Sequence, residues 1–425
     1  MALAFSAMAQ APTGGISGVV MDESGAVIPG VKLAISNLDT GLTRELTSNA
    51  EGGFAAASLP AGNYEIKADA AGFKALVHKA VVAAGSTSTI DLTMLVGSSK
   101  DVVTVEAEAA PIDYESHSLA GVVTRRQIEA LPLNGRSFLQ LAFLEPGVTI
   151  STGTTSQYNH QFNVSVMGGD AGQTRIAVDG ANIVDGVDGG TQQNFSQEVV
   201  QEFQISTTNF DLSTGVTGVG SVNIVTRSGG NDYHGSGYFF FRDHNMAAYP
   251  GLSRQPNNPD PFFARRQSGF YVGGPVKKDR FWFFVNLEHI NQKSVVAVQP
   301  LDPDFAKFGG IDPSPYGGNQ LSVRLDYRLN ANNNAFVRYS HDGNNSFGPR
   351  GQGSLPSNWL QNINWADQSV GSLISALRPN VVNEARFSYS YWHNRNLFPD
   401  SATCPAPCMG LLMPQIDVLG AGLTL

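Results

Sequence analysis

Three stretches of this 425-residue sequence hold residue types that could do chemistry. Asp179, Asp185 and Asp188 fall within Asp179-Gly-Ala-Asn-Ile-Val-Asp-Gly-Val-Asp-Gly-Gly190, where carboxylates could gather around calcium. The run lacks the closing bidentate Glu of a calcium loop, so no metal is expected there. Cys404 and Cys408, spaced Cys-Pro-Ala-Pro-Cys, could form a disulfide or hold a metal. No His lies near them in sequence, which favours the disulfide in an oxidising compartment. Gly215, Gly218 and Gly220 allow tight backbone turns, but Gly-Val-Thr-Gly-Val-Gly-Ser-Val-Asn lacks the final glycine of a dinucleotide loop and sits between strands. The eight His are scattered without ligand spacing, and no nucleophile motif appears. The expectation is a protein that is not an enzyme and has no cofactor.

The elements that position these residues read as all-β. Gly 46 and a charged fraction of only 15% are unusual for a soluble enzyme, while short apolar runs between turn residues suggest many strands. A net charge of −9 without a basic cluster argues against a nucleic-acid partner. No apolar run reaches the roughly eighteen residues of a membrane-spanning helix, which says nothing of barrel strands of about ten alternating residues. At the start, Leu3–Met8 is apolar and Ala7-Met-Ala9 fits a small-residue cleavage site, so residues 1–10 read as the end of a signal peptide or as a short tail.

Residues 14–96 break into about seven short strands separated by turns such as Asp22–Gly25 and Asn49–Gly53, the spacing of a β-sandwich. Phe54, Tyr64 and Phe73 are its candidate core aromatics. Residues 97–110 form a linker by composition. Within it Asp101-Val-Val-Thr-Val-Glu-Ala107 is a short β-prone run with acidic flanks. In the next segment Thr124 caps a helix that stops before Pro132, and Arg136 and Arg175 are candidates for internal salt bridges. From residue 231 onward the period changes. Leu321, Val323, Leu325, Tyr327 and Leu329 share one face of a strand, with Ser322, Arg324, Asp326 and Arg328 on the other. Short connections at Val276–Asp279, Asn330–Asn333 and Pro379–Asn380 alternate with long polar ones, the order found in outer-membrane barrels. Alternation alone fits equally an amphipathic strand of a soluble sandwich.

Gln197 to Arg242, with Ser221-Val-Asn-Ile-Val-Thr226 and the aromatic run Tyr238-Phe-Phe-Phe241, resembles the closing segment of the plug of TonB-dependent outer-membrane receptors running into the first barrel strand. Leu131-Pro-Leu-Asn-Gly-Arg-Ser-Phe138 and Gly273-Gly-Pro-Val-Lys-Lys-Asp-Arg-Phe281 resemble a plug motif and a periplasmic-side hairpin of the same group. Gly18, Asp22, Gly25, Pro29, Gly30, Val31, Asn37, Gly53, Phe54, Leu59, Pro60, Gly62, Tyr64, Gly72 and Phe73 resemble the carboxypeptidase regulatory-like domain that precedes the plug in the Oar-like receptors.

The resemblance implies an N-terminal β-sandwich, a small mixed α+β plug at residues 111–230, and the first seven or so strands of a transmembrane barrel at residues 231–425. A family barrel has about twenty-two strands, so a longer receptor is expected. Asp101, Val102, Val103, Thr104, Val105, Glu106 and Ala107 resemble a TonB box, which would pair with a TonB-type inner-membrane energy transducer; the other reading is a last edge strand of the first domain. Asn182, Asp185, Asp188, Gln192 and Asn194 are expected on a plug loop facing an unknown small ligand or oligosaccharide. The other partner implied is outer-membrane lipid. Energy-coupled uptake is the function implied; Oar-like adhesion or protein export, and a soluble secreted carbohydrate-binding protein, are the alternatives.

Overall fold

The computed structural model describes residues 13–97, 102–105, 120–151, 162–186, 189–207, 217–248, 258–298, 300, 302–349, 354–378, 381–399, 417–418 and 423–424. The proposed signal-peptide remnant, Asp188 and the Cys404–Cys408 pair lie outside them.

The first domain holds β1 (Thr13–Asp22), β2 (Lys32–Asn37), β3 (Thr43–Thr47), β4 (Gly53–Pro60), β5 (Gly62–Asp69), β6 (Ala75–Val82), β7 (Thr87–Thr89) and β8 (Leu92–Met94). A further strand, β9 (Val102–Val105), joins it. One sheet has the order β4-β1-β7, with β8 also on β1; the other runs β3-β2-β5-β6-β9. Alternation makes both sheets one-sided. In β2, Leu33 and Ile35 are buried while Lys32 is exposed, and they meet Ile16, Val20, Phe54, Leu59 and Tyr64 between the sheets.

The second domain is a mixed sheet, β10-β15-β16-β13-β14, built from β10 (Ala120–Val123), β13 (Thr174–Val178), β14 (Ala181–Asn182), β15 (Val200–Ser206) and β16 (Gly220–Thr226). A separate hairpin pairs β11 (Val148–Ser151) with β12 (Asn163–Val166). Helix α1 (Arg125–Ala130) starts at Thr124 with a full capping box, in which Thr124 and Gln127 satisfy each other's backbone donors. Ile128 of α1 packs with Phe138, Leu139, Val178, Phe203 and Ile224 in one core.

The third part is a meander of long antiparallel strands: β17 (His234–Asp243), β18 (Phe263–Lys277), β19 (Phe281–Val298), β21 (Tyr316–Asn330), β22 (Asn333–Gly348), β23 (Leu360–Arg378) and β24 (Val381–Leu397), with short β20 (Gly310–Pro313) on β19. β23 has 19 residues, well beyond the roughly ten that a tilted strand needs to cross a bilayer. The expected facing is observed. Leu325, Tyr327, Val337, Tyr339, Phe387 and Tyr389 point outward, Phe387 with 72% of its surface exposed. Arg338, Ser340 and Asp342 on the opposite face are buried against the second domain. An apolar face turned outward and a polar face turned inward is the reverse of a soluble sandwich.

Candidate functional site

The second domain is fastened to the inner face of the strand wall by charge. Asp179, just past β13, takes a left-handed conformation, φ 49°, that is uncommon for a non-glycine residue. Its carboxylate accepts from the Thr226 backbone at 3.0 Å and the Thr226 hydroxyl at 2.7 Å. Nε of Arg338, on β22, donates to Asp179 Oδ2 at 2.7 Å, and Arg324, on β21, stands 3.5 Å from Oδ1. Burial pushes the Asp179 carboxyl up, but the two guanidiniums and the Thr226 bonds outweigh it and hold it below the usual carboxylate value. Arg338 also donates to the Val178 carbonyl at 3.1 Å, to Gln368 at 2.6 Å and to Ser340 at 2.6 Å. Arg324 donates to the Thr226 carbonyl at 3.1 Å and pairs with Asp326 at 2.9 Å. Each desolvated charge is therefore matched, the condition under which a buried pair holds.

The expected ligand loop is stitched to the same wall. Gln368 donates to the Asn182 carbonyl at 3.3 Å and Asn364 to the Gln192 carbonyl at 3.4 Å. Both the backbone N–H of Asn194 and its amide donate to Asp342 Oδ2, at 2.8 and 3.1 Å. Two residues on, Ser196 donates to Glu288 at 2.8 Å. Asp185 is bonded within the loop, its N–H to the Gly190 carbonyl at 2.8 Å. Among the described residues no group of three or more His, Cys, Asp or Glu is placed to hold a metal.

Arg136 forms the expected salt bridge, 2.6 Å to Glu198, while its guanidinium lies over the rings of Tyr238 at 4.7 Å and Phe240 at 4.3 Å on β17. Arg125 reaches the other Glu198 oxygen at 2.5 Å. Burial raises Glu198, but Arg125 and Arg136 prevail and lower it. Arg175 differs from expectation. Among the described residues it forms no ion pair; it donates to the Gly180 carbonyl at 3.3 Å.

Of the coupling run, Val102–Val105 form β9, parallel to β6 in the register Ala75↔Val102 to His78↔Val105. Asp101, Glu106 and Ala107 lie outside the described residues. Val102–Val105 thus form the outermost strand of that sheet of the first domain.

Among the family matches, the carboxypeptidase regulatory-like domain covers residues 15–95. The outer membrane beta barrel domain covers residues 225–310 and 296–418. The TonB-dependent transporter Oar of Myxococcus xanthus is 26% identical over 297 residues, covering 66% of this chain. The chain carries a carboxypeptidase regulatory-like domain ahead of an outer membrane beta barrel domain, the order of a TonB-dependent receptor with a regulatory-like domain in front. It spans 27% of the length of that transporter. Solved structures with similar folds are the siderophore receptor PirA from Acinetobacter baumannii, with TM-score 0.49, 18% identity, 66% of this chain and 41% of that chain. The outer membrane transporter YddB from Escherichia coli gives TM-score 0.48, 10% identity, 65% and 39%. The second domain stands where the resemblance expects the plug of such a receptor, the long-stranded wall matches the outer membrane beta barrel domain, and the relatives are transporters and receptors rather than enzymes.

Sequence reasoning missed Asp342, Glu288, Gln368 and Arg338 as plug contacts. Their signal was present as polar residues on the lumen-facing positions of long alternating strands, but the partner of each lies more than twenty positions away in chain order.

Proposed function

We propose that this receptor takes up a ligand across the outer membrane by energy-coupled gating, with the plug as the moving element and Asp101–Ala107 as the segment that a TonB-type inner-membrane transducer engages. The observation that carries the reading is the plug's mode of attachment. Beside apolar contacts at Phe284, Phe336 and Val370, it is held to the wall by hydrogen bonds and ion pairs, Asp179 to Arg338 and Asn194 to Asp342 among them. Polar contacts exchange with water at small net cost, whereas an apolar interface of the same size resists opening. Such a plug is secure at rest and releasable under load.

Short turns of a barrel face the periplasm, and Asp279 in the turn at 278–280 bonds Asn231, which in turn bonds Asp39 of the first domain; this supports a periplasmic position for that domain, where a transducer arrives. Asn182, Asp185, Asp188, Gln192 and Asn194 remain the proposed ligand loop; a ligand drawing on Asn194 competes with Asp342. The test uses the receptor containing this chain and the purified periplasmic domain of a TonB-type transducer. Binding that Val103→Pro or Val105→Pro abolishes supports the reading, since proline removes a strand donor. Equal binding by wild type and both variants refutes it.

A further inference from the structure

Strand β6 runs from the coupling strand to a contact with the plug. Its first half, Ala75–His78, pairs with β9. Just past its other end the turn Ala83–Gly85 meets plug strand β15. The Ala84 N–H donates to Glu202 Oε1 at 2.5 Å, and Gln204 Nε2 donates to the Gly85 carbonyl at 3.3 Å. Glu202 retains only 7% of its exposure. Gly85 has φ +69°, a conformation that favours glycine, and a Cβ there would lie 2.0 Å from Gln204 Oε1, so a side chain at this position displaces the Gln204 amide.

A second turn of the first domain meets the barrel rim. The Asn231 N–H donates to the Asp39 carbonyl at 2.8 Å. The Asn231 amide donates to Asp279 at 2.6 Å, and its oxygen accepts from the Asp279 N–H at 2.8 Å and Trp282 Nε1 at 2.9 Å. Asn231, in the link between plug and barrel, therefore joins all three parts. Asp279 holds φ 60° there, a strained conformation kept by these bonds.

We propose that the first domain is a brake on the plug: its turn Ala83–Gly85 grips β15, Asn231 anchors it to the rim, and β6 ties that grip to the coupling strand β9, so that a pull on β9 loosens the hold on β15. From His78 to Val82 the strand covers about 13 Å at about 3.3 Å per residue, an extended path that transmits tension with little give and leads directly into the turn Ala83–Gly85. The proposal rests on the plug being the moving element of the reading above, but the grip itself acts without ligand or transducer.

The experiment is hydrogen exchange on the receptor containing this chain, in detergent and without ligand. Gly85→Val breaks the grip from the first-domain side, and Glu202→Ala with Gln204→Ala breaks it from the plug side. Both are expected to raise exchange at β15 amides about tenfold or more, with β22 and β23 unchanged. Exchange at β15 equal to wild type in Gly85→Val overturns the proposal, because a response confined to the plug-side variant reports plug damage alone. A disulfide from Ala84→Cys with Glu202→Cys is expected to slow β15 exchange below wild type until reductant is added; no slowing overturns it as well. Adding the transducer's periplasmic domain then separates the two readings. Failure of that domain to bind sinks the coupling assignment, while the brake is decided by the ligand-free exchange.

Discussion

Asp179 and Arg338 stand 159 positions apart in the chain and meet at 2.7 Å with neither side chain exposed. One lies on the plug and the other on the barrel wall, so the ion pair is a direct measure of how the two are held. A pair so buried is costly to break from one side, because the remaining charge has no solvent.

Arg338→Ala is therefore expected to destabilise plug seating by about 3–5 kcal/mol, and Asp179→Asn by a comparable amount. The double variant Asp179→Asn with Arg338→Met should recover much of the loss. Denaturant titration of plug release, analysed as a double-mutant cycle, checks this; strictly additive losses would show that the two charges are not coupled.

Arg324 lies on the lumen-facing side of β21, where its guanidinium bonds the Thr226 carbonyl, lies 3.5 Å from Asp179 and pairs with Asp326. Arg324→Leu is predicted to weaken plug seating measurably while leaving barrel insertion near wild type. Heat-modifiability on gels reports insertion, and protease access to the plug reports seating.

Leu325→Arg acts on the other face. Leu325 points outward beside Tyr327, and a charge there near the bilayer midplane is expected to cost about 2–4 kcal/mol of insertion. Folding into vesicles over a urea series measures it. A loss below that of Leu325→Ala would place this face away from lipid.

Glu202 makes the grip of the first domain sensitive to pH. Burial pushes its carboxyl up to about 6, against a smaller opposing effect from the Ala84 N–H. The docked state therefore holds its proton at pH values where the solvated carboxyl has lost it. Protonation favours docking, so the contribution is full below about 4.5 and is lost as pH rises through about 6. The window is worth at most about 2 kcal/mol, from roughly 1.4 kcal/mol per unit. Exchange at β15 should rise between these pH values after correction for intrinsic rates, and Glu202→Gln should flatten the profile.

Proline in the coupling strand separates two roles for β9. Val103→Pro or Val105→Pro is expected to abolish transducer binding with little change in unfolding midpoint of the first domain, since β9 is the outermost strand of its sheet. A fall in the midpoint with transducer binding intact in the folded molecules would make β9 a structural edge and nothing more.

Read along the chain, the sequence by itself determined what is local. The two-residue period of Leu321–Leu329 settles which side chains share a face, and it does so for any strand because successive Cβ atoms point to opposite sides. Thr124 and Gln127 specify the start of α1 from three positions apart, and Phe54 and Tyr64 announce a sandwich core before any partner is known. What the tertiary structure decided is pairing across distance. Nothing within reach of Arg338 in sequence says that its counter-charge is Asp179, that Asp342 holds Asn194, or that Ala84 caps Glu202. Alternation orders a polar lumen face without assigning partners to it; those follow from where the plug sits against the wall, where loss of solvent makes each unmatched charge expensive and so selects the one arrangement that matches them.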